Sequence, residues 1–298
     1  RGAWGVPETM IPPETEGERR LLQALTEGTR PRLGESLPDA EAPEVAVRAN
    51  FLRHLLLAGD SPLDHGGLRL SGAWVQGVLD LQGVDCARDI TLTDCRVADG
   101  ATLVNARLRG FHLSGCHMGG LAADNARFSG SVYLRGESLV DREIGLAGAR
   151  IGGDLQLCGL TVRGERQDAV FAPSLQVAGS LFLGNYPYAV GVTHLVAEGT
   201  LFFASAEVGH DLFVTNTAIA LNEGIDGSFF GATEEHGANM ALSLGRARVG
   251  GILYFQDNQI GAGIVNLAGA TCARFKDEPE GPGATYPIRL DGFRYGDF

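Results

Sequence analysis

Residues 144 to 162 read Ile144-Gly-Leu146-Ala-Gly-Ala149-Arg-Ile151-Gly-Gly-Asp-Leu155-Gln-Leu157-Cys-Gly-Leu160-Thr-Val162. This stretch repeats a short unit, in which an apolar-x-apolar triplet, a turn, a second triplet and another turn follow one another. In each triplet the two outer side chains point one way and the middle side chain points the other way, as in a β-strand. A helical period of about 3.6 residues cannot generate such triplets. The stretch therefore predicts very short strands separated by corners.

The same unit recurs over most of the chain, with a step of about 11 residues where it is uninterrupted. Two units supply four sides, so a coil closes after about 22 residues and stacks on the next coil at about 4.8 Å. The sequence therefore predicts a solenoid in which residues two units apart are vertical neighbours. The copies begin at or near Leu68, Leu79, Ile90, Ala101, Phe111, Leu121, Val132, Ile144, Leu155, Ala169, Leu181, Leu201, Leu212, Leu242, Leu253, Val265 and Ile288.

Several triplets combine a small first residue with a large third one, and on these the chain resembles the pentapeptide-repeat proteins. The resemblance implies an all-β solenoid, a right-handed quadrilateral β-helix, with small and large apolar side chains pointing inward. The chain departs from the strict five-residue pattern because many units carry an extra residue, as in 150–155. The matching triplets are Ala106-Arg-Leu108, Ala126-Arg-Phe128, Ala149-Arg-Ile151, Ala206-Glu-Val208 and Ala247-Arg-Val249.

Residues 1–66 lack the repeat and are predicted to form a small helical N-terminal cap on the solenoid of residues 67–298. Thr15 and Glu18 form a capping-box pattern that predicts a short helix. A second helix is predicted from Glu44 to Ala58, with Pro43 at its start. Solenoid ends need such caps because they expose apolar core and unpaired backbone groups. A separate interaction domain is the alternative interpretation of this region.

Insertions interrupt the repeat near 163–168, 184–194, 220–241 and 273–287. If 220–241 hides one degenerate unit, the first, third and fourth insertions leave the same corner of the coil. Loops on one edge of a solenoid often form its binding face. The alternative is that these are tolerated surface insertions.

Composition limits the classes of function. The 298 residues carry a formal net charge of −12, which argues against a general nucleic-acid binder and could favour a basic partner. Lys276 is the only lysine, a bias that is typical of a GC-rich, bacterial genome, so no other residue could be a Schiff-base or phosphate-loop lysine. No apolar run approaches the roughly 20 residues of a membrane span. The sequence begins at Arg1, so we expect further residues upstream.

The five cysteines are odd in number and lack CxxC spacing, which indicates a reduced set and a cytoplasmic location. Cys95 and Cys116 should stack in the core as small hydrophobic residues rather than act as a redox pair. His112 and His117 flank Cys116 but should point outward while Cys116 points inward, so they predict no metal site.

Three arginines at outward middle positions form the most regular charged column. Arg107, Arg127 and Arg150 lie two units apart and should stack on one face in successive coils. Like charges about 5 Å apart repel by roughly 1 kcal/mol even in water, so these arginines need an anion, neighbouring carboxylates or a partner. We predict contact with an acidic partner or a phosphate. A solvated ladder balanced by nearby acids is the alternative.

Aromatic side chains also occupy outward middle positions. Phe202, Phe213 and Tyr254 do so, and Phe182 is expected to join them. Exposed aromatic residues in neighbouring repeats predict a partner contact or a homodimer contact. Packing beneath the long insertions is the competing interpretation.

The sequence contains no GxGxxG, phosphate-loop, GxSxG or HExxH motif, and we expect no cofactor. The residues Glu234, Glu235 and His236 form an acidic–histidine cluster within an insertion. An enzyme with such a loop-borne site is the least favoured hypothesis.

The leading hypothesis is a non-enzymatic protein-binding scaffold, whose partner is another protein and which does not bind nucleic acid directly. An alternative comes from the resemblance, because some pentapeptide-repeat proteins mimic duplex DNA and bind DNA gyrase. The negative net charge agrees with mimicry, but the acids concentrate in the N-terminal cap and at Asp277, Glu278 and Glu280.

Overall fold

The computed structural model describes residues 9–221, 240–261, 263–278 and 286–297, which contain two short helices and a continuous series of short strands. The helices are α1 Glu16–Thr26 and α2 Ala49–Leu57. The strands are β1 Ala46–Arg48, β2 Leu68–Ser71, β3 Trp74–Gln76, β4 Leu79–Asp80, β5 Asp85–Thr93, β6 Arg96–Val97, β7 Ala101–Thr102, β8 Arg107–Ser114, β9 His117–Met118, β10 Leu121–Ala122, β11 Arg127–Phe128, β12 Val132–Val140, β13 Ile144–Gly145, β14 Arg150–Ile151, β15 Leu155–Phe171, β16 Gln176–Val177, β17 Leu181–Gly184, β18 Leu195–Phe202, β19 Glu207–Val208, β20 Leu212–Thr215, β21 Thr217–Ala220, β22 Met240–Ser243, β23 Arg248–Gln256, β24 Gln259–Ile260, β25 Ile264–Asn266, β26 Thr271–Glu278, β27 Ile288–Arg289 and β28 Arg294–Asp297.

The strands stack in parallel into a β-solenoid of about nine turns, which confirms the predicted all-β solenoid with short strands. Strand β10, for example, pairs with β7 of the preceding turn and with β13 of the following turn. Each turn contributes one segment to each of four columns, because the triplets alternate with corners. Vertical neighbours are therefore residues two repeat units apart, as the spacing predicted.

The core is a single apolar column that runs along the inside of the solenoid. The outer residues of each triplet point into it, so Leu103 is 0% and Phe128 is 3% exposed. The middle residues of the same triplets face outward. Burying apolar side chains on every turn stabilises the stack by roughly 1.5–3 kcal/mol for each large residue.

One corner of the coil has a left-handed residue on every turn. Positive φ angles recur there, as at Asn125 with 56° and Ser174 with 57°. Glycine adopts this conformation without steric cost and asparagine tolerates it better than most residues. The nine positions are Gly83, Asn105, Asn125, Gly148, Ser174, Ser205, Arg246, Gly269 and Gly292. Because each turn rounds this corner in the same way, the columns keep their register.

The first helix of the cap forms as predicted. The Thr15 side chain accepts a hydrogen bond from the Glu18 backbone N–H at 3.0 Å, and the Glu18 side chain returns to the N-cap backbone. The predicted start of the second helix is wrong, because α2 begins at Ala49 rather than at Glu44. The preceding residues form β1, which pairs with β3 and extends the stack by one strand.

A buried ion pair holds the two parts of the cap together. The Glu18 side chain is 0% exposed, and its carboxylate accepts hydrogen bonds from Arg48 Nε at 2.7 Å and from Arg48 Nη2 at 2.8 Å. Burial alone would raise the pKa of Glu18, but the hydrogen bonds from Arg48 and from the backbone N–H groups of Glu14 and Arg48 outweigh it and lower that pKa. The carboxylate therefore stays charged and ties α1 to the strand that follows it.

The insertions do not all leave the solenoid at one corner. Residues 163–168 lie within β15, where Arg163 pairs with Glu198, and Glu198 pairs in turn with Ala220. The first and third insertions therefore depart from the same column. The prediction that the fourth insertion departs from this column as well is wrong. Strand β26 stays in register up to Glu278, which lies one corner earlier in the coil. Glu278 shares its column with Gly184, where the second insertion departs. Residues 222–239 and 279–285 lie outside the described residues.

Candidate functional site

The register places the predicted arginines on one face of the solenoid. Arg107 pairs with Arg127, and Arg127 pairs with Arg150, so the three lie on successive turns. We call the first seven members of this outward row the arginine column. They are Asp85, Arg107, Arg127, Arg150, Gln176, Glu207 and Arg248. The row continues with Thr271 and Arg294 on the next two turns.

The arginines at the two ends of the column have carboxylate partners. Arg107 Nη1 lies 3.4 Å from Asp85 Oδ2, and Arg248 Nη1 lies 3.0 Å from Glu207 Oε1. Arg127 and Arg150 form no ion pair with any residue that the structure describes. The interpretation as a ladder balanced by nearby acids therefore fits the ends of the column and not its middle. We call Arg127 and Arg150 the arginine window.

A groove of about 910 Å³ runs beside the arginine column. One wall consists of the column itself, while the floor consists of apolar triplet residues such as Phe128 and Val177 and of a corner of small residues. The corner must be small because successive turns approach closely there. A Cβ atom on Gly152 would lie 2.4 Å from the Ser129 carbonyl oxygen, and one on Gly209 would lie 2.3 Å from the Ala178 carbonyl oxygen. The groove therefore combines a cationic wall with an apolar floor.

The predicted aromatic residues do not form one patch. Phe213 shares a column with Phe182 and Tyr254, with ring centroids 5.1 Å and 6.1 Å away. Phe202 lies on another face, where its ring stacks on Phe171 at 5.5 Å. Phe202 therefore lies apart from Phe213 and Tyr254, and the partner or homodimer contact expected for these residues stays a prediction.

Packing beneath an insertion accounts for Phe182. Its side chain is only 5% exposed, because Tyr186 from the second insertion packs edge-on against it at 5.1 Å. Tyr254 is engaged differently, since its hydroxyl group donates to Glu278 at 2.8 Å and Lys276 lies 5.5 Å above its ring.

The second insertion carries an apolar tip that the sequence reasoning missed. Tyr188 and Val192 are 81% and 64% exposed, and Val190 is fully exposed. The loop is closed by Thr193, whose hydroxyl group donates to the Gly184 carbonyl at 2.8 Å. The lack of any charged residue between 185 and 194 was the signal that could have identified this tip.

The two histidines beside Cys116 do not converge. His112 stacks on Tyr133 with ring centroids 4.8 Å apart, and burial lowers its pKa. His117 lies in a different column. Its Nδ1 atom accepts a hydrogen bond from Arg96 Nη1 at 2.6 Å, and its Nε2 atom contacts Asp141. Asp141 also lies 3.4 Å from Arg163. We call Arg96, His117, Asp141 and Arg163 the His117 network.

The described part of the chain contains no cluster of three or more His, Cys, Asp or Glu residues arranged to hold a metal ion. Cys95 and Cys116 stack inside the core, where the Cys95 backbone N–H donates to Cys116 Sγ at 3.4 Å. Burial raises the pKa of the Cys95 thiol well above its usual value, so this group stays protonated. The cluster of Glu234, Glu235 and His236 lies outside the described residues.

Asp168 is a further titratable group that the sequence reasoning missed. Burial raises its pKa to about 7, and the nearby charge of Glu143 acts in the same direction. It lies in β15 at a register shift in the pairing with β18. Asp168 therefore changes charge near neutral pH, although no motif pointed to it.

Comparisons of this chain with protein-family models, with curated proteins and with solved structures gave no match. Neither of the two helices among the described residues has the length and hydrophobicity of a membrane-spanning segment.

Proposed function

We propose that this chain is a non-enzymatic protein-binding scaffold, a right-handed β-helix of the pentapeptide-repeat type whose arginine column contacts an acidic partner protein. The observation that carries the proposal is the arginine window. Its two arginines are register partners on successive turns, whose backbones lie about 4.8 Å apart, and neither forms an ion pair with a described residue. Each turn is hydrogen-bonded to its neighbours, so the solenoid holds the backbone positions of the two arginines at a fixed spacing.

The electrostatics of the window favour a bound anion. Two like charges at this spacing repel by about 1 kcal/mol in water, and more where the dielectric constant is lower. A carboxylate that bridges the two guanidinium groups replaces this repulsion with charge-assisted hydrogen bonds, each worth up to about 1 kcal/mol at an exposed site. An anion at the window therefore relieves the repulsion between the two arginines.

The surroundings of the window favour a protein over a nucleic acid. Asp85 and Glu207 lie in the same column on either side of the window. A continuous phosphate backbone along the column would meet these carboxylates as well as the arginines. The formal net charge of −12 adds long-range repulsion of a polyanion.

The arginine column also favours a scaffold over a DNA mimic. A mimic of duplex DNA needs acids on successive turns, whereas three successive turns of this column carry arginine. A gyrase supercoiling assay with the purified chain separates the two hypotheses, because only the mimic alters supercoiling.

The scaffold is tested by affinity capture from a lysate of the source cells, followed by mass spectrometry. The wild-type chain, the window variant R127Q/R150Q and a control variant R69Q/R289Q are compared. The control removes the same charge from two other columns. We expect one protein to be retained by the wild type and the control and to be lost from the window variant. Equal retention by all three, no retention by any, or a bound cofactor with turnover would contradict the proposal.

A further inference from the structure

We infer that the groove beside the arginine column binds an extended peptide of the partner, which lies along the solenoid axis with one acidic side chain at the arginine window. This inference rests on the protein-binding role proposed above and specifies the chemistry of the bound segment. Four properties of the groove carry it, namely its length, the distribution of charge along its wall, the apolar character of its floor and the state of its backbone.

The length of the groove sets the length of the peptide. The groove is lined on seven successive turns, from Cys86 to Val249. At about 4.8 Å between neighbouring turns, these span roughly 29 Å. An extended chain rises about 3.3 Å per residue, so the groove accommodates about nine residues.

The charge along the wall sets the position of the acidic side chain. Within the arginine column, Arg127 and Arg150 are the two arginines without an ion pair to a described residue, because Asp85 pairs with Arg107 and Glu207 pairs with Arg248. One carboxylate can accept hydrogen bonds from both window guanidinium groups. A second acidic residue several positions away would approach Asp85 or Glu207 instead. The window therefore selects a single acid near the middle of the peptide.

The floor of the groove selects apolar and small residues on either side of that acid. It is formed by the almost fully buried side chains of Leu108, Phe128, Ile151 and Val177 and by the small corner residues beside them. These residues offer few polar groups, so a run of charged or amide side chains would lose its hydration there without replacement.

The backbone of the groove is already satisfied, which separates this mode of binding from strand addition. At the corner, the Gly152 N–H donates to the Phe128 carbonyl at 2.7 Å and the Ala178 N–H donates to the Ile151 carbonyl at 2.8 Å. The peptide cannot pair with these groups as a further strand. Recognition therefore depends on side chains, and above all on the carboxylate.

The test uses three displayed libraries of nonapeptides that are random except for a central Glu, Gln or Lys. We expect the wild-type chain to enrich sequences only from the Glu library. Synthetic versions of the enriched peptides should bind at least tenfold more weakly when the central Glu is replaced by Gln. The R127Q/R150Q variant should lose this preference, R127E/R150E should prefer the Lys library, and R69Q/R289Q should behave as wild type. Thermal unfolding of each variant confirms that it is folded.

The outcomes distinguish this inference from the scaffold itself. Enrichment that is independent of the central residue, or unchanged in the window variants, overturns the peptide inference, while a partner captured from the lysate still supports the scaffold. Binding of a single-stranded oligonucleotide as tight as that of the best peptide also overturns it. If the window variants change only self-association in sedimentation, a second copy occupies the groove and the inference is again wrong.

Discussion

Arginine side chains have opposite surroundings in the cap and in the arginine column. In the cap, Arg48 donates to Glu18 through two of its nitrogen atoms, and the carboxylate it meets is fully buried. In the column, Arg127 and Arg150 lie in register on neighbouring turns without an ion pair to any described residue. Both settings use strands of one solenoid, so the difference comes from what covers each strand. In the cap, Arg48 stabilises the fold by pairing with Glu18. At the arginine window, no described acidic residue plays this part.

The largest effect is expected from breaking the buried pair in the cap. Removing one partner of a buried ion pair costs roughly 3–5 kcal/mol, and the partial exposure of Arg48 reduces this to about 2–3 kcal/mol for Glu18→Gln. Urea unfolding at pH 7 measures the change, and the exposed Glu16→Gln on the same helix should stay within about 0.5 kcal/mol of wild type. Because the pKa of Glu18 is lowered in the folded state, its contribution is present above the usual value of 4.5 and is lost as the pH falls below it. Equal stabilities of wild type and Glu18→Gln at pH 7 would show that the pair contributes nothing.

Asp168 provides the opposite case, an acid that burial disfavours in its charged form. Its folded-state pKa of about 7 lies above the usual value of 3.8, so its stability penalty grows as the pH rises from about 4 to 7. We expect Asp168→Asn to raise the free energy of unfolding by about 1–2 kcal/mol at pH 8 and to change it little at pH 4. Each unit of pKa shift corresponds to about 1.36 kcal/mol. The expected change is smaller than the whole shift from 3.8 to about 7 would give, because the side chain is only partly shielded from water. Asp99→Asn serves as the exposed control, and a destabilised Asp168→Asn at pH 8 would refute the assignment.

The His117 network is intermediate between the cap and the window. Asp141 is 38% exposed and contacts both His117 and Arg163, so its charge is screened in part. Asp141→Asn should lower the free energy of unfolding by about 1 kcal/mol, most of which is lost again in high salt. Differential scanning calorimetry at low and high salt measures this, with the exposed Asp39→Asn as the matched control. A loss of 3 kcal/mol or more would place this network with the buried pair instead.

The smallest effect on stability is expected at the arginine window. The double variant R127Q/R150Q removes a repulsion and no ion pair with a described residue, so the free energy of unfolding should change by less than about 0.5 kcal/mol at physiological salt. At low salt the variant should become slightly more stable than wild type. Chemical unfolding at two salt concentrations tests this. A clear destabilisation would mean that the window stabilises the fold and is not held for a ligand.

The stacking of the arginine window could be predicted from sequence because it depends only on the period of the repeat. Triplets with apolar flanks put Leu103 and Phe128 inside, and the two-unit spacing put Arg107, Arg127 and Arg150 in one column. Both conclusions follow from geometry that each turn repeats.

The period of the repeat does not predict which residues pack against or pair with the outward side chains of each column. Strand β1 replaced the start of a predicted helix because Val47 and its neighbours pair with Trp74–Gln76, a contact between residues far apart in sequence. Phe182 is covered by Tyr186 because of the path of one insertion. Whether an arginine finds an acid likewise depends on neighbours that the period does not specify.

The left-handed corner has a consequence for how such a chain can change. Since every revolution passes the same point in the same backbone conformation, a whole revolution is a module that can be copied or excised at that point without shifting the remaining columns. A duplication of the segment from Asn105 to Asn125 would add one turn to the solenoid. It would lengthen the groove beside the arginine column by the spacing of one turn. The length of ligand that such a solenoid accommodates therefore changes in steps of one turn, and natural variants should differ by whole turns.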